Sequence, residues 1–230
     1  MKRSFLLSTA VVFGLLFTAC KKNSDSNPSV TQPGVSYQLV ASNTSYAMAK
    51  TAASADIVWT TAMANPDVVK FDATQGNVQI EYRSTNNAQI DLLSPVALTF
   101  GAFTLPSGTY DNISLKIDLD RNGSVPTLQL NGQFTTATVS LPVSVQVLES
   151  VELQTEQHNV KITNDSAYLA VTTIDLPTIT SGITTAMLLD AQLTAGTIVI
   201  SSDSNHDLYK LIVDNLRNKH HYCEFEGHRH

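Results

Sequence analysis

Two cysteines, Cys20 and Cys223, are all that the 230 residues contain. A disulfide framework is therefore excluded, and the fold must hold by its core. Tryptophan is almost missing, with Trp59 alone, and charged residues make up only 15% of the chain. The patterns G-x-S-x-G, the P-loop, H-E-x-x-H and the dinucleotide fingerprint do not occur. Their absence leaves paired-carboxylate glycosidases open, because those acids keep no fixed spacing in sequence. No apolar run is long enough for a permanent membrane span, which needs about 20 residues.

The longest such run is Phe5 to Phe17, behind the positive start Met1-Lys2-Arg3. It has the build of an export signal. The run closes in LFTAC, with the small residues Thr18 and Ala19 directly before Cys20. This resembles the lipobox cut by the lipoprotein signal peptidase, in which the cysteine becomes the new N-terminus and carries acyl chains; Phe17 stands where leucine is usual. KKNSDSNPSVTQPG follows, polar and rich in Ser, Asn, Pro and Gly, as a solvated tether is. The expected organisation is a signal peptide over 1–19, a lipidated Cys20 with its tether over 20–36, one domain over 37–218 and a His-rich tail over 219–230. The expected location is the outer membrane, on its periplasmic or cell-surface side, with the membrane reached through the acyl anchor and not through a span.

Loss of residues 1–19 removes Lys2 and Arg3 and no acid, so the basic side chains fall from 14 to 12 against 20 acidic ones, a formal charge of −8. That balance disfavours nucleic acid as a partner. It also leaves anchoring to acyl chains and not to anionic lipid.

Past Tyr37 the chain turns to Val, Ile, Leu, Thr and Tyr in short runs broken by Gly, Pro and Asn, the pattern of an all-β domain. VVKFDA, NVQIEYRS, VALTFGAFTL, NISLKIDL, TLQLNGQF, VSLPVSVQV, VELQTE, NVKIT, SAYLAVTTIDL and GTIVIS read as strands of an antiparallel β-sandwich. In NVQIEYRS, alternation puts Val78, Ile80 and Tyr82 on one face; in ISLKIDL it turns Ile113, Leu115, Ile117 and Leu119 inward. Within YAMAKTAASADIVWTTAMANPD a strand is expected from Ile57, with Trp59 as a core anchor. Two stretches near the C-terminus read as short helices: one starts near Pro177 and carries Ile183, Ala186, Met187 and Leu189 on a face. The other follows an N-cap at Ser204 or Asn205 and buries Leu208, Leu211, Ile212 and Leu216.

LPSGTYDNISLKIDLD resembles a stretch of exported lipoproteins of the Bacteroidota, where a Pro-x-Gly-x-Tyr turn leads into a strand of a transthyretin-like or immunoglobulin-like sandwich. Pro106, Gly108 and Tyr110 are the matching positions. The resemblance implies a fold and a location, and carries over no catalytic residue. Read physically, Pro106 fixes the approach to the turn, Gly108 allows it, and Tyr110 buries its ring while its hydroxyl meets a backbone partner.

Three groups of residues are candidates for chemistry. Asp118, Asp120 and Asn122 alternate before Gly123 as in the opening of a calcium loop. The position of the bidentate glutamate, however, is Gln129, and a strand follows where a helix is required. The preferred reading is a hairpin with a type I′ turn at Asn122-Gly123, with a β-type calcium loop as the alternative. DSNHD lacks the glycine of such a loop and is better explained by helix capping. In HHYCEFEGHRH, the ligands His220, His221, Cys223, His228 and His230 suit zinc or copper, but without the paired spacing of a structural zinc site. A mobile tail is the preferred reading, and an edge strand YCEFE is the alternative.

These features lead to the expectation of a lipid-anchored cell-envelope binding or assembly module with no catalytic residues, no obligate cofactor and a protein or glycan partner. A cation-binding surface protein, taking calcium at Asp118, Asp120 and Asn122 or zinc at the tail, is second. A hydrolase of exported glycans or peptides is third.

Overall fold

Alternating burial defines the longest strands of the computed structural model, which describes residues 33–43, 57–86, 88–218 and 221–229, the last by backbone and Phe225 alone. In chain order the strands are β1 (Gly34–Ser42), β2 (Ile57–Ala64), β3 (Pro66–Gln75), β4 (Val78–Thr85), β5 (Ile90–Asp91), β6 (Thr99–Thr104) and β7 (Gly108–Leu119). They continue with β8 (Leu128–Thr135), β9 (Ser140–Val147), β10 (Val151–Ile162) and β11 (Ser166–Asp175). Helices α1 (Leu176–Ile179) and α2 (Thr185–Leu189) come next, then β12 (Leu193–Thr194), β13 (Thr197–Ile200), α3 (His206–Asn218) and β14 (His221–Arg229).

The fold is all-β and sandwich-like. One sheet has the order β14-β11-β1-β6, a second β10-β7-β3-β4, and a third β12-β13-β9-β8-β2-β5; none closes into a barrel. Most neighbours are antiparallel, but β1 runs parallel to β11 and β13 parallel to β9. Three helices stand where one or two were expected, because Gly182, at φ 87°, divides the stretch after Pro177 into α1 and α2.

The first two sheets face each other across aromatic rings. Phe71 of β3 lies 4.1 Å from Phe103 of β6 and 6.4 Å from Phe225 of β14, and Tyr82 of β4 stacks on Phe103 at 4.8 Å. On β7, Ile113, Leu115, Ile117 and Leu119 are each no more than 1% exposed, as the alternation requires. On β4, Ile80 and Tyr82 are half-buried but Val78 is 59% exposed, because it sits beside the Gly76 turn, beyond the cover of the facing sheet.

Ile57 does begin a strand, and Trp59 is buried in it opposite Gly132 of β8. On α3, Leu208, Tyr209, Ile212, Val213 and Leu216 are buried, with Leu211 at the margin. Asn205 does not cap this helix with its side chain. Its Oδ1 accepts from Gln192 N, and its Nδ2 donates to the carbonyls of Gln192 and Val199. On α2 the buried residue is Leu188, with Ile183 buried just ahead of the helix, while Leu189 is 50% exposed; Thr184 caps it by accepting from Met187 N.

Two boundaries differ from expectation. β1 starts at Gly34, inside the expected tether, because its Val35 and Tyr37 are buried between β6 and β11. Residues 221–229 form β14 along the edge of β11 instead of a tail, with Ser166 opposite Arg229 and Ile174 opposite His221. The open edge of β11 offers the partner that sequence periodicity alone cannot reveal.

The chain passes between the second and third sheets four times: from β2 to β3 through Asn65, from β4 to β5 after Thr85, from β7 to β8 through residues 120–127, and from β9 to β10 through residues 148–150. The turn at Asn122-Gly123 is therefore not a hairpin between β7 and β8, which lie in different sheets. It closes on itself, Asn122 and Val125 exchanging backbone hydrogen bonds of 3.2 and 3.0 Å, with Gly123 and Ser124 at its centre. Only Gly123 has positive φ, at 60°, which fits a type II′ turn and not the expected type I′.

Candidate functional site

The passages between the second and third sheets leave a polar cleft of about 140 Å³, lined by Asn65, Pro66, Asp67, Asn86, Asp120, Arg121 and Asn122. Asn65 is its keystone. This residue breaks the extended run of β2 and β3; its N–H donates to Thr127 O at 3.0 Å and its carbonyl accepts from Asp120 N at 3.0 Å. Only 7% exposed, it donates from Nδ2 to Pro126 O at 2.6 Å. No donor among the described residues meets its Oδ1.

The other walls are set as firmly. Asn86 N donates to Asp67 O at 2.8 Å, closing the open end of the β3–β4 hairpin. Asp120 Oδ1 accepts from Arg121 N at 2.8 Å and from Ser150 Oγ at 2.9 Å, which fixes the carboxylate. The side chains of Arg121 and Asn122 are exposed, and neither makes a hydrogen bond or ion pair among the described residues.

This cleft separates the expected calcium ligands. Asp120 and Asn122 line it, but Asp118 lies on the face of the second sheet, where its Oδ2 is 2.7 Å from Lys70 Nζ, with Glu152 at 3.8 Å from the same ammonium. The hydrogen bond to Asp118 holds the Lys70 pKa above its ordinary value. Alternation on β7 sends Asp118 to that face; beyond Leu119 the chain leaves the sheet, so Asp120 no longer follows the same period.

Of the expected transition-metal ligands, His220 and His230 lie outside the described residues, as does Cys20. His221, Cys223 and His228 belong to β14. Among the described residues no group of three or more His, Cys, Asp or Glu is placed to hold a metal, and no helix is long and apolar enough to cross a membrane.

The turn residues are placed as their chemistry requires. Tyr110 is fully buried and its hydroxyl donates to Pro106 O at 2.7 Å. Burial, with Tyr82 as a smaller contribution, pushes its pKa above the ordinary value. Gly108 does not need positive φ; as the first residue of β7 it leaves room for the Gln75 amide, which a Cβ there would meet.

Asp67 and Asn86 were not legible as partners of Asp120, since the three come from separate strand ends. The only local signal is Asn65-Pro66-Asp67, a turn-like triplet inside an otherwise strand-like run. Comparison with family models, curated proteins and solved structures found no match to this chain.

Proposed function

We propose that this protein is a lipid-anchored binding module of the cell envelope, held in the outer membrane through Cys20 and without catalytic chemistry of its own. The carrying observation is the N-terminal sequence: an apolar run from Phe5 to Phe17, then Thr18-Ala19-Cys20, then a polar stretch up to the first strand. The arrangement of the domain supports the reading. Whatever precedes Pro33 joins the domain beside Leu105, whose N–H donates to Pro33 O at 3.0 Å, close to the Gly108 end of β7. The polar cleft lies at the Leu119 end, and a strand of 12 residues, at about 3.3 Å each, separates the two by roughly 36 Å. A cleft at the end of β7 remote from Pro33 suits a module whose contacts lie on loops at one end.

A second reading, cation binding, draws on Asp120 and Asn122, which share the cleft with Asp67. It would use Asp67 in place of Asp118, whose carboxylate is engaged with Lys70.

Anchoring is tested by growing the producing cells with an alkyne analogue of palmitate and fractionating them. The wild-type chain should take up label and sediment with membranes, and Cys20→Ala should do neither. An unlabelled wild type, or a Cys20→Ala variant that stays membrane-bound, would remove the proposal.

A further inference from the structure

We infer that the cleft beside Asn65 binds one neutral, polyhydroxylated unit, a hexose ring of a glycan; this rests on the binding-module reading and names its ligand class. A single water needs about 10–15 Å³ on this measure, so about 140 Å³ holds roughly ten waters, the space of one ring and not of an extended polymer.

The walls are polar on nearly every side. Pro66 alone is apolar, so lipid chains and aromatic ligands gain little there. Two carboxylates, Asp67 and Asp120, oppose an anion. A cation meets the guanidinium of Arg121 in the same wall, and one of the two Asp120 oxygens already accepts two hydrogen bonds. A hydroxyl, by contrast, both donates and accepts. Neighbouring hydroxyls of a sugar can donate to Asp67 and Asp120 while accepting from Arg121, and the amide of Asn122 serves either way.

Asn65 supplies the observation that the charged residues alone would lack. The residue is 7% exposed and lines the cleft, and its Nδ2 is committed to Pro126 O. Its Oδ1 then remains an acceptor without a protein donor among the described residues. Asn65 thus offers the cleft one acceptor that the protein does not engage and that is not sealed from solvent, where a sugar hydroxyl can take the place of water.

The test uses the full-length chain in detergent and saturation-transfer difference NMR with the methyl glycosides of glucose, galactose and mannose as probes. At least one glycoside should receive saturation at its ring protons from the wild type. Arg121→Ala and Asp67→Asn should each weaken that binding roughly tenfold or more, the size of a lost charge-assisted hydrogen bond. Neither side chain holds the fold: Arg121 is exposed, and Asp67 ties the hairpin through its backbone carbonyl. Circular dichroism should therefore show both variants folded.

Three results would overturn the inference: no transfer to any of the three glycosides, transfer undiminished in both variants, or a calcium-dependent rise in melting temperature that Asp67→Asn abolishes. The last would make the cleft a cation site. Loss of glycoside binding with palmitate labelling intact removes only the ligand assignment. Loss of labelling with glycoside binding intact removes only the anchor.

Discussion

Tyr37 lies across Gly101, its cross-strand neighbour on β6, and its hydroxyl meets the side chain of Ser84 from the facing sheet. An added Cβ at position 101 would fall on the Tyr37 hydroxyl and on its ring carbon Cζ. Tyr37 has little freedom to move, since it is 2% exposed and packs edge-on against Phe100 at 4.9 Å. Gly101→Ala should thus destabilise by about 1–3 kcal/mol, as overpacking does. Tyr37→Phe should not rescue it, because the ring carbon still occupies the space. Urea unfolding of the two single variants and the double variant checks this; full rescue would refute the steric account.

Gly132 stands in the same relation to Trp59. A Cβ there would come within 2.5 Å of the Val58 carbonyl oxygen and 2.9 Å of Trp59 Cε3. One neighbour is backbone in a paired strand and cannot swing aside, so Gly132→Ala should cost about 2–3 kcal/mol. The tryptophan is the sole one in the chain, so its emission reports the site directly. A red shift in the native variant is expected, and an unchanged spectrum with unchanged stability would contradict the packing described.

Alkaline pH should unfold the domain through its buried tyrosines. Burial pushes up the pKa of Tyr110, with Tyr82 adding to it, and that of Tyr209, with the charge of Glu149 adding. Their ordinary value is 10.0. Above that pH the unfolded chain releases protons that the folded one retains, so stability falls as pH rises from there; below it these groups add no pH dependence. Urea midpoints between about pH 9 and about pH 11 should drop, and drop less steeply in the Tyr110→Phe/Tyr209→Phe double variant. An identical slope would show that other groups govern the fall.

Asp118→Asn should matter little. Its ion pair with Lys70 is solvent-exposed, with side-chain exposures of 27% and 36%, and pairs of this kind contribute about 1 kcal/mol or less. The loss should shrink further in high salt. Calcium should act equally on the wild type and on the variant; a calcium-induced rise in melting temperature lost with Asp118 would restore the loop reading of DLDRNG.

The period-two residues of β7 announced their burial, and Pro106, Gly108 and Tyr110 announced a corner, because both signals are local. Which sheet each strand joins was not legible. DLDRNGSVPTLQL reads as a hairpin, yet its strands have different partners, and those partners are chosen by contacts far away in sequence. β14 was legible only as the alternative edge strand YCEFE: HHYCEFEGHRH alternates too weakly to outweigh its histidines, and the edge of β11 decides for the strand. The cleft shows the limit most plainly. Asp120 and Asn122 drew notice for their spacing, whereas Asp67 and Asn86 had none, and folding rather than spacing sets the four in one wall.

The parallel pairing of β1 with β11 also governs when this chain can fold. Position 35 waits for position 168, so the central strand of the first sheet stays without that neighbour until nearly three quarters of the polypeptide is available. Such high contact order makes folding slow and strongly dependent on completion of the chain. A polypeptide with this connectivity leaves the ribosome unable to close its first sheet early, and its last strands supply the final lock.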